Sequence, residues 1–111
     1  MSKDPNGIDQ HSPGAKLDAG KLRPFLVYKG FIHALQELWN NGSKGAEKYT
    51  PNGWKTVPNA KERYMDAAFR HMDKHTLGEL RDDETNTHHL VAAAWSLLAV
   101  AEIELTEMEN K

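Results

Sequence analysis

The chain has 111 residues, 39% of them apolar, a mean hydropathy of -0.71 and a formal charge of -2. That is enough for one domain with a modest core and too little for two. The near-neutral balance gives no overall pull toward nucleic acid or an anionic membrane, so local charges must hold any phosphate ligand. The absence of cysteine excludes disulfides, thiolate metal sites and a cysteine nucleophile, and fits a reducing cytoplasm.

Residues 1–24 hold three of the five prolines and few large apolar side chains, and read as a loose N-terminal arm ending in an extended segment. Met1–Gly14 lacks the apolar core of a secretion signal, and no run of about 18 apolar residues reads as a bilayer span. A soluble cytoplasmic protein with no membrane and no nucleic-acid partner is expected. Lys16, Lys21 and Arg23 lie in the arm, either as solvated charges or as a basic strap able to close over an anion.

Residues 25–111 read as a single all-α domain. "FLVY" is compatible with a short strand, but Phe31, Leu35, Leu38 and Trp39 recur at helical spacing and predict a helix over Lys29–Asn40, ended by Asn41 and Gly42. "SKGAEKY" adds one or two turns of helix. Pro51 and the Asn52-Gly53 pair then enforce a turn. Trp54 follows directly, an aromatic placed to cover the core or to stack on a base.

The second long helix is predicted from Asn59, its N-cap, to about Leu77, with Gly78 as the stop. Its inward stripe is Ala60, Tyr64, Ala67, Ala68, His71 and His75, widened by Met65, Phe69 and Met72, so the apolar face turns into imidazole at its C-terminal end. A third helix is expected from Asp83 or Glu84, where acids suit a positive N-terminus, to about Glu107. It carries Leu90, Ala94, Leu97, Leu98, Ala101 and Leu105 at helical spacing, and its run "VAAAW" permits close approach of another helix. The whole reads as an all-α, small helical bundle with short connections. So polar a chain is expected to bury its best surface against copies of itself, as a homo-oligomer with the third helix at the interface.

The stretch "RHMDKHTLGELRDDETNTHH", residues 70–89, gathers four of the six histidines and five carboxylates where the second and third helices meet. Carboxylate clusters bind hard cations such as magnesium, and Glu79 and Asp82 share a face if the backbone there is helical. Asp82, Asp83 and Glu84 equally suit the first turn of a helix. His71 and His75 have the spacing of a zinc pair or of hydrogen-bonded core histidines. Of the adjacent His88 and His89, one faces the site. Asp66 and Arg70 are spaced as a surface ion pair, while Arg70 beside an anion pocket is a planar fork for phosphate, with Asp66 holding it or binding metal. Lys48 is a second phosphate candidate. No Walker-type phosphate loop, dinucleotide fingerprint or nucleophile elbow is present.

The ordered blocks "KLDAGKLRP", "GAEKYTPNGW", "ERYMDAAFRHM", "GELRDDET" and "HHLVAAAW" resemble a family of small, largely phage-encoded proteins described as dATP/dGTP diphosphohydrolase N-terminal domains, related to the MazG-like all-α nucleotide pyrophosphohydrolases. The resemblance spans about residues 15–104. It implies magnesium, or manganese, held by helical carboxylates that activate water for attack on a purine nucleoside triphosphate, releasing the monophosphate and pyrophosphate. Carried over, it implies metal ligands at Glu79, Asp82, Glu84 and Asp66, and catalytic roles for Glu79, Asp82 and His71. It further implies a substrate site at Lys48, Tyr49, Asn52, Trp54, Arg70 and His89, to which the basic arm, on its own reading, would add Lys16 and Lys21. Two departures stand out. The further E-x-x-E pair of MazG-like enzymes is absent around Glu37, where His33, Ala34, Asn40 and Asn41 occupy the relevant spacings, and Ala92 stands where members tend to carry histidine. The same pocket in a non-catalytic protein would sequester a signalling nucleotide.

Overall fold

The computed structural model describes residues 3–110; Met1, Ser2 and Lys111, the outer limits of the expected arm and domain, lie outside the described residues. Among the described residues the protein is helical, with four α-helices, one 3-10 turn and no strand, only isolated bridges at Lys3–Ala19 and Arg81–His88. It forms two compact units, Met1–Phe31 and Ile32–Lys111.

The first unit is organised by one carboxylate. Asp4 Oδ1 accepts from the backbone N–H of Asn6 at 2.7 Å, and Oδ2 from that of Lys16 at 2.8 Å. The Lys16 bond leads in holding the Asp4 pKa below its ordinary value, against the opposing effect of burial. Helix α1, Pro24–Gly30, starts on Pro24, whose missing N–H costs nothing at the first helical position and whose fixed φ suits it. "FLVY" is therefore helical. The Phe31 N–H closes α1 onto the Val27 and Tyr28 carbonyls, so the helix expected to start at Lys29 is instead split between two elements.

In the second unit, α2 spans Ile32–Lys48 and passes straight through Asn41 and Gly42, where the sequence predicted a stop. A Cβ on Gly42 would lie 2.6 and 2.7 Å from two ring carbons of Trp95, so this glycine marks a close approach rather than a terminus. After a 3-10 turn at Gly53–Thr56, α3 spans Ala60–Thr76. Asn59 occupies its N-cap position in the left-handed region, φ 57°, without a side-chain capping bond. At the other end Gly78, φ +98°, donates to the His75 carbonyl and the Glu79 N–H to that of Lys74, the paired bonds of a Schellman stop.

Helix α4 spans His89–Glu109 and packs along α3. It starts later than the acids at 83–84 suggested, because those residues belong to a turn closed by Asp82. Its inward face is small: Ala92, Ala93, Ser96 and Ala99 are buried, as is Ala68 on α3. The alanine run thus permits close approach, but of α3 within the same chain. The leucines face outward, Leu98 54% and Leu105 57% exposed, and Phe69, expected to widen the α3 core stripe, is 62% exposed. By length and composition alone α4 is apolar enough to cross a membrane, which corrects the expectation that no such stretch exists.

Candidate functional site

The site grows out of the α3–α4 connection. Because Gly78 ends α3, residues 79–82 are not helical, and Glu79 and Asp82 do not share a helix face. The chain folds back instead: the Asp82 N–H donates to the Thr87 carbonyl at 2.8 Å and the His89 N–H to that of Leu80 at 2.9 Å. Inside this return, Asp82 Oδ2 accepts from the backbone N–H of Thr85 at 2.9 Å, that of Glu84 at 3.1 Å and the Thr85 hydroxyl at 3.2 Å. Aspartate and threonine form such turns because a short polar side chain reaches the backbone two or three residues on.

Helix α2 holds the turn from the side. Asn40 Nδ2 donates to the Thr85 carbonyl at 3.0 Å and to the hydroxyl of fully buried Thr87 at 3.1 Å. Glu37 takes both guanidinium branches of Arg81, at 3.1 and 2.8 Å, and accepts the His88 N–H at 2.8 Å, just before α4 begins. The Arg81 hydrogen bond, then that from His88, holds the Glu37 pKa below its ordinary value. Sequence reasoning noted Glu37 only for the pair it lacks. Its role as a tie between α2 and the α4 N-terminus rests on a long-range contact.

The return places His71 of α3 beside His89 of α4, Nδ1 to Nδ1 at 2.9 Å, with ring centroids 5.2 Å apart. One ligand atom each from His71, Asp82 and His89 lie within 4.8 Å of one another. His89 is fully buried, and its Nε2 meets Glu79 Oε2 at 2.7 Å. Burial first, with smaller effects from His89, Lys74 and Arg70, lowers the His71 pKa against the pull of Asp82, so its imidazole is neutral at neutral pH. Burial works to raise the Asp82 pKa, but the turn hydrogen bonds and His71 outweigh it and the net shift is downward. His75 and His88 form a separate ring pair with centroids 5.6 Å apart, so of the two adjacent histidines it is His89 that joins the cluster.

His71 and Asp82 line a cleft of about 1360 Å³ between α2, the 3-10 turn and α3. Lys48, Tyr49, Asn52, Trp54, Arg70 and Glu84 share its lining, so most of the candidate substrate residues come together. Lys48 is ion-paired with Glu84 and sits 5.1 Å from the Tyr49 ring centre. The Glu84 hydrogen bond leads in raising its pKa. Asn52, φ 56°, begins the predicted Asn-Gly turn, and Trp54 meets Trp95 edge-on at 6.4 Å while also facing the cleft. Trp95 and Arg63 of the lining were not anticipated. Asp66 is exposed on α3 outside the lining, and among the described residues no ion pair joins it to Arg70. Lys16 and Lys21 belong to the first unit, where their backbone N–H groups bond Asp4 and Asp18.

Fold and site together define a small all-helical domain with cationic, aromatic and metal-ligating side chains gathered in one cleft. The chain belongs to the family described as dATP/dGTP diphosphohydrolase, N-terminal, which it matches over residues 11–111. Comparison with curated proteins and with solved structures found no match.

Proposed function

We propose that the chain is a divalent-ion-dependent diphosphohydrolase of purine deoxynucleoside triphosphates. The observation that supports this most is the common cleft, which joins phosphate-type cations, base-stacking aromatics and a carboxylate–imidazole pair. Arg70 offers a planar fork and Lys48 a point charge to phosphate oxygens. Glu84 must release Lys48 when phosphate arrives, and an exposed ion pair worth roughly 0–1 kcal/mol opposes this little. Tyr49 and Trp54 present ring faces to the purine. Water adds through its oxygen to the α-phosphorus and gives up its proton to solvent, with His71 at the cleft wall orienting it, while the bond to the bridging oxygen breaks and pyrophosphate departs.

A bound divalent ion would supply charge stabilisation to such a reaction. The residues do not fit magnesium in an all-oxygen cage. Glu79 is on His89, Glu84 on Lys48, Asp66 outside the cleft, and only Asp82 of the four stands in the cluster. No step is assigned to magnesium. The same observation favours a second reading, a binding protein that sequesters a signalling nucleotide without cleaving it.

Incubation with dATP, dGTP and the other nucleotides, with magnesium or manganese, followed by chromatography, tests both. Monophosphate and pyrophosphate are expected. Tight binding without products moves the assignment to sequestration, and neither binding nor products removes both.

The outward leucines of α4 support a homo-oligomer joined through that helix, since a helix apolar all round is normally covered. Light scattering is expected to give at least a dimer, and the Leu98→Lys variant a monomer.

A further inference from the structure

The cluster beneath the cleft has a composition that the carboxylate site expected from the sequence lacks. We propose that His71, Asp82 and His89 form a two-histidine, one-carboxylate site for a divalent transition ion such as zinc, cobalt or manganese, with Glu79 as the positioning residue that orients His89. The proposal deepens the hydrolase reading by naming the class of ion, and its test does not depend on turnover.

Four observations carry it. The first is donor chemistry: imidazole suits zinc, cobalt and neighbouring ions, whereas magnesium prefers oxygen and keeps its waters. The second is spacing. Two imidazole nitrogens bound to one ion at about 2.0–2.1 Å stand roughly 3.0–3.4 Å apart, and the two Nδ1 atoms here are 2.9 Å apart. A contact that close holds one hydrogen between the nitrogens, and an ion bound there replaces it, the proton passing to His71 Nε2 or to solvent.

The third is the partner behind His89. A carboxylate only accepts, so the 2.7 Å contact with Glu79 places a hydrogen on His89 Nε2 and leaves Nδ1 as the atom that faces the ion. A carboxylate on the far nitrogen of a liganding histidine is the usual orienting device in zinc sites. The fourth is the carboxylate itself. Asp82 Oδ2 is occupied by the turn, whereas Oδ1 takes part in none of those bonds. His89 is buried while His71 and Asp82 line the cleft, so the positions an ion leaves open face the cleft.

Zinc titration of the protein labelled with nitrogen-15 at histidine is a direct test that needs no variant. One equivalent is expected to move the Nδ1 resonances of His71 and His89 and to leave those of His75 and His88 in place. Movement of the His75–His88 pair instead, or of no histidine, overturns the proposal. Cobalt titration adds a second readout: ligand-field absorption saturating at one equivalent, retained in a hundredfold excess of magnesium. Glu79→Gln keeps the shape and is expected to weaken cobalt binding by about 10–100-fold at unchanged helical signal. An unchanged affinity would remove Glu79 from the site. His71→Ala is expected to abolish the absorption, and its persistence would overturn the assignment. Metal bound at this site by a protein that hydrolyses no nucleotide would leave the ion site standing and remove the hydrolase reading.

Discussion

Replacing Gly42 by alanine probes the place where α2 crosses Trp95. The new methyl would stand 2.6 and 2.7 Å from two ring carbons, against about 3.5–4.0 Å for carbons in good contact. The indole is rigid and is itself in edge contact with Trp54, so relief requires α2 to back away or both aromatics to turn. Overpacking of this kind costs about 1–3 kcal/mol. Alanine in a helix interior recovers about 0.8–1 kcal/mol relative to glycine. The net expectation is a loss of up to about 2 kcal/mol, which lowers Tm by roughly 4–8 °C per kcal/mol in a domain of this size. Gly45 lies one turn further on the same helix, and a Cβ there meets nothing within 4 Å, so Gly45→Ala is the control and should stabilise by about 0.5–1 kcal/mol. Thermal melts followed by circular dichroism give the two changes, and tryptophan emission should shift in the first variant alone. Equal stabilisation by both would show that α2 does not press on Trp95 and that Gly42 has no packing role.

Arg70→Lys keeps the charge and removes the fork; it should weaken a purine triphosphate at least tenfold by calorimetry at unchanged Tm, since a charge-assisted contact is worth about 1.5–3 kcal/mol, and equal affinity would place Arg70 outside the site. Glu37→Gln preserves shape but puts a donor where one of the two oxygens accepts from Arg81 and removes the charge that faces it, with the carboxylate 27% exposed. A loss of about 1–2 kcal/mol in urea unfolding is expected, together with faster amide exchange at the start of α4, and a change too small to measure would deny the tie. Stability should also fall with pH in two stages. His71 is held below its ordinary 6.5, so the unfolded chain binds the proton first, and its contribution, complete above 6.5, is lost as pH falls below that value. Glu37 and Asp82 are held below 4.5 and 3.8, so their contributions are complete above those values and are lost as pH falls through their lower folded values. A flat stability profile between pH 7 and 5 in wild type, matched by His71→Asn, would remove the first stage.

Helix content was legible because Ala60, Tyr64, Ala67, Ala68, His71 and His75 keep helical spacing without interruption, and all are at least half-buried. Gly42 was misread because a glycine after two asparagines has the local chemistry of a helix stop, while its reason, Trp95, lies far along the chain. The start of α4 was misplaced because the residues that favour a first helical turn, Asp82 to Thr85, are also those that close a turn on their own backbone. Its faces were not distinguishable, since a helix apolar all round carries no sign of which side is inward. In the site, the residue types were readable and the pairings were not. Which carboxylate meets which imidazole depends on the return of the chain at residues 79–89, which no spacing rule encodes.

The small buried residues beside the paired histidines have a consequence for how the cluster is calibrated. Ala68 lies one turn before His71 on α3, and Ala92 and Ala93 lie one turn after His89 on α4, all three buried. Small buried side chains thus stand one turn from the paired imidazoles on both of two helices that pack along one another. Side-chain volume at these unreactive positions acts as a feeler gauge for the distance between the histidines. A lineage could widen or close the gap between them by a carbon or two at Ala68 or Ala92, retuning how near the two imidazoles stand, while every polar residue of the cluster stayed the same.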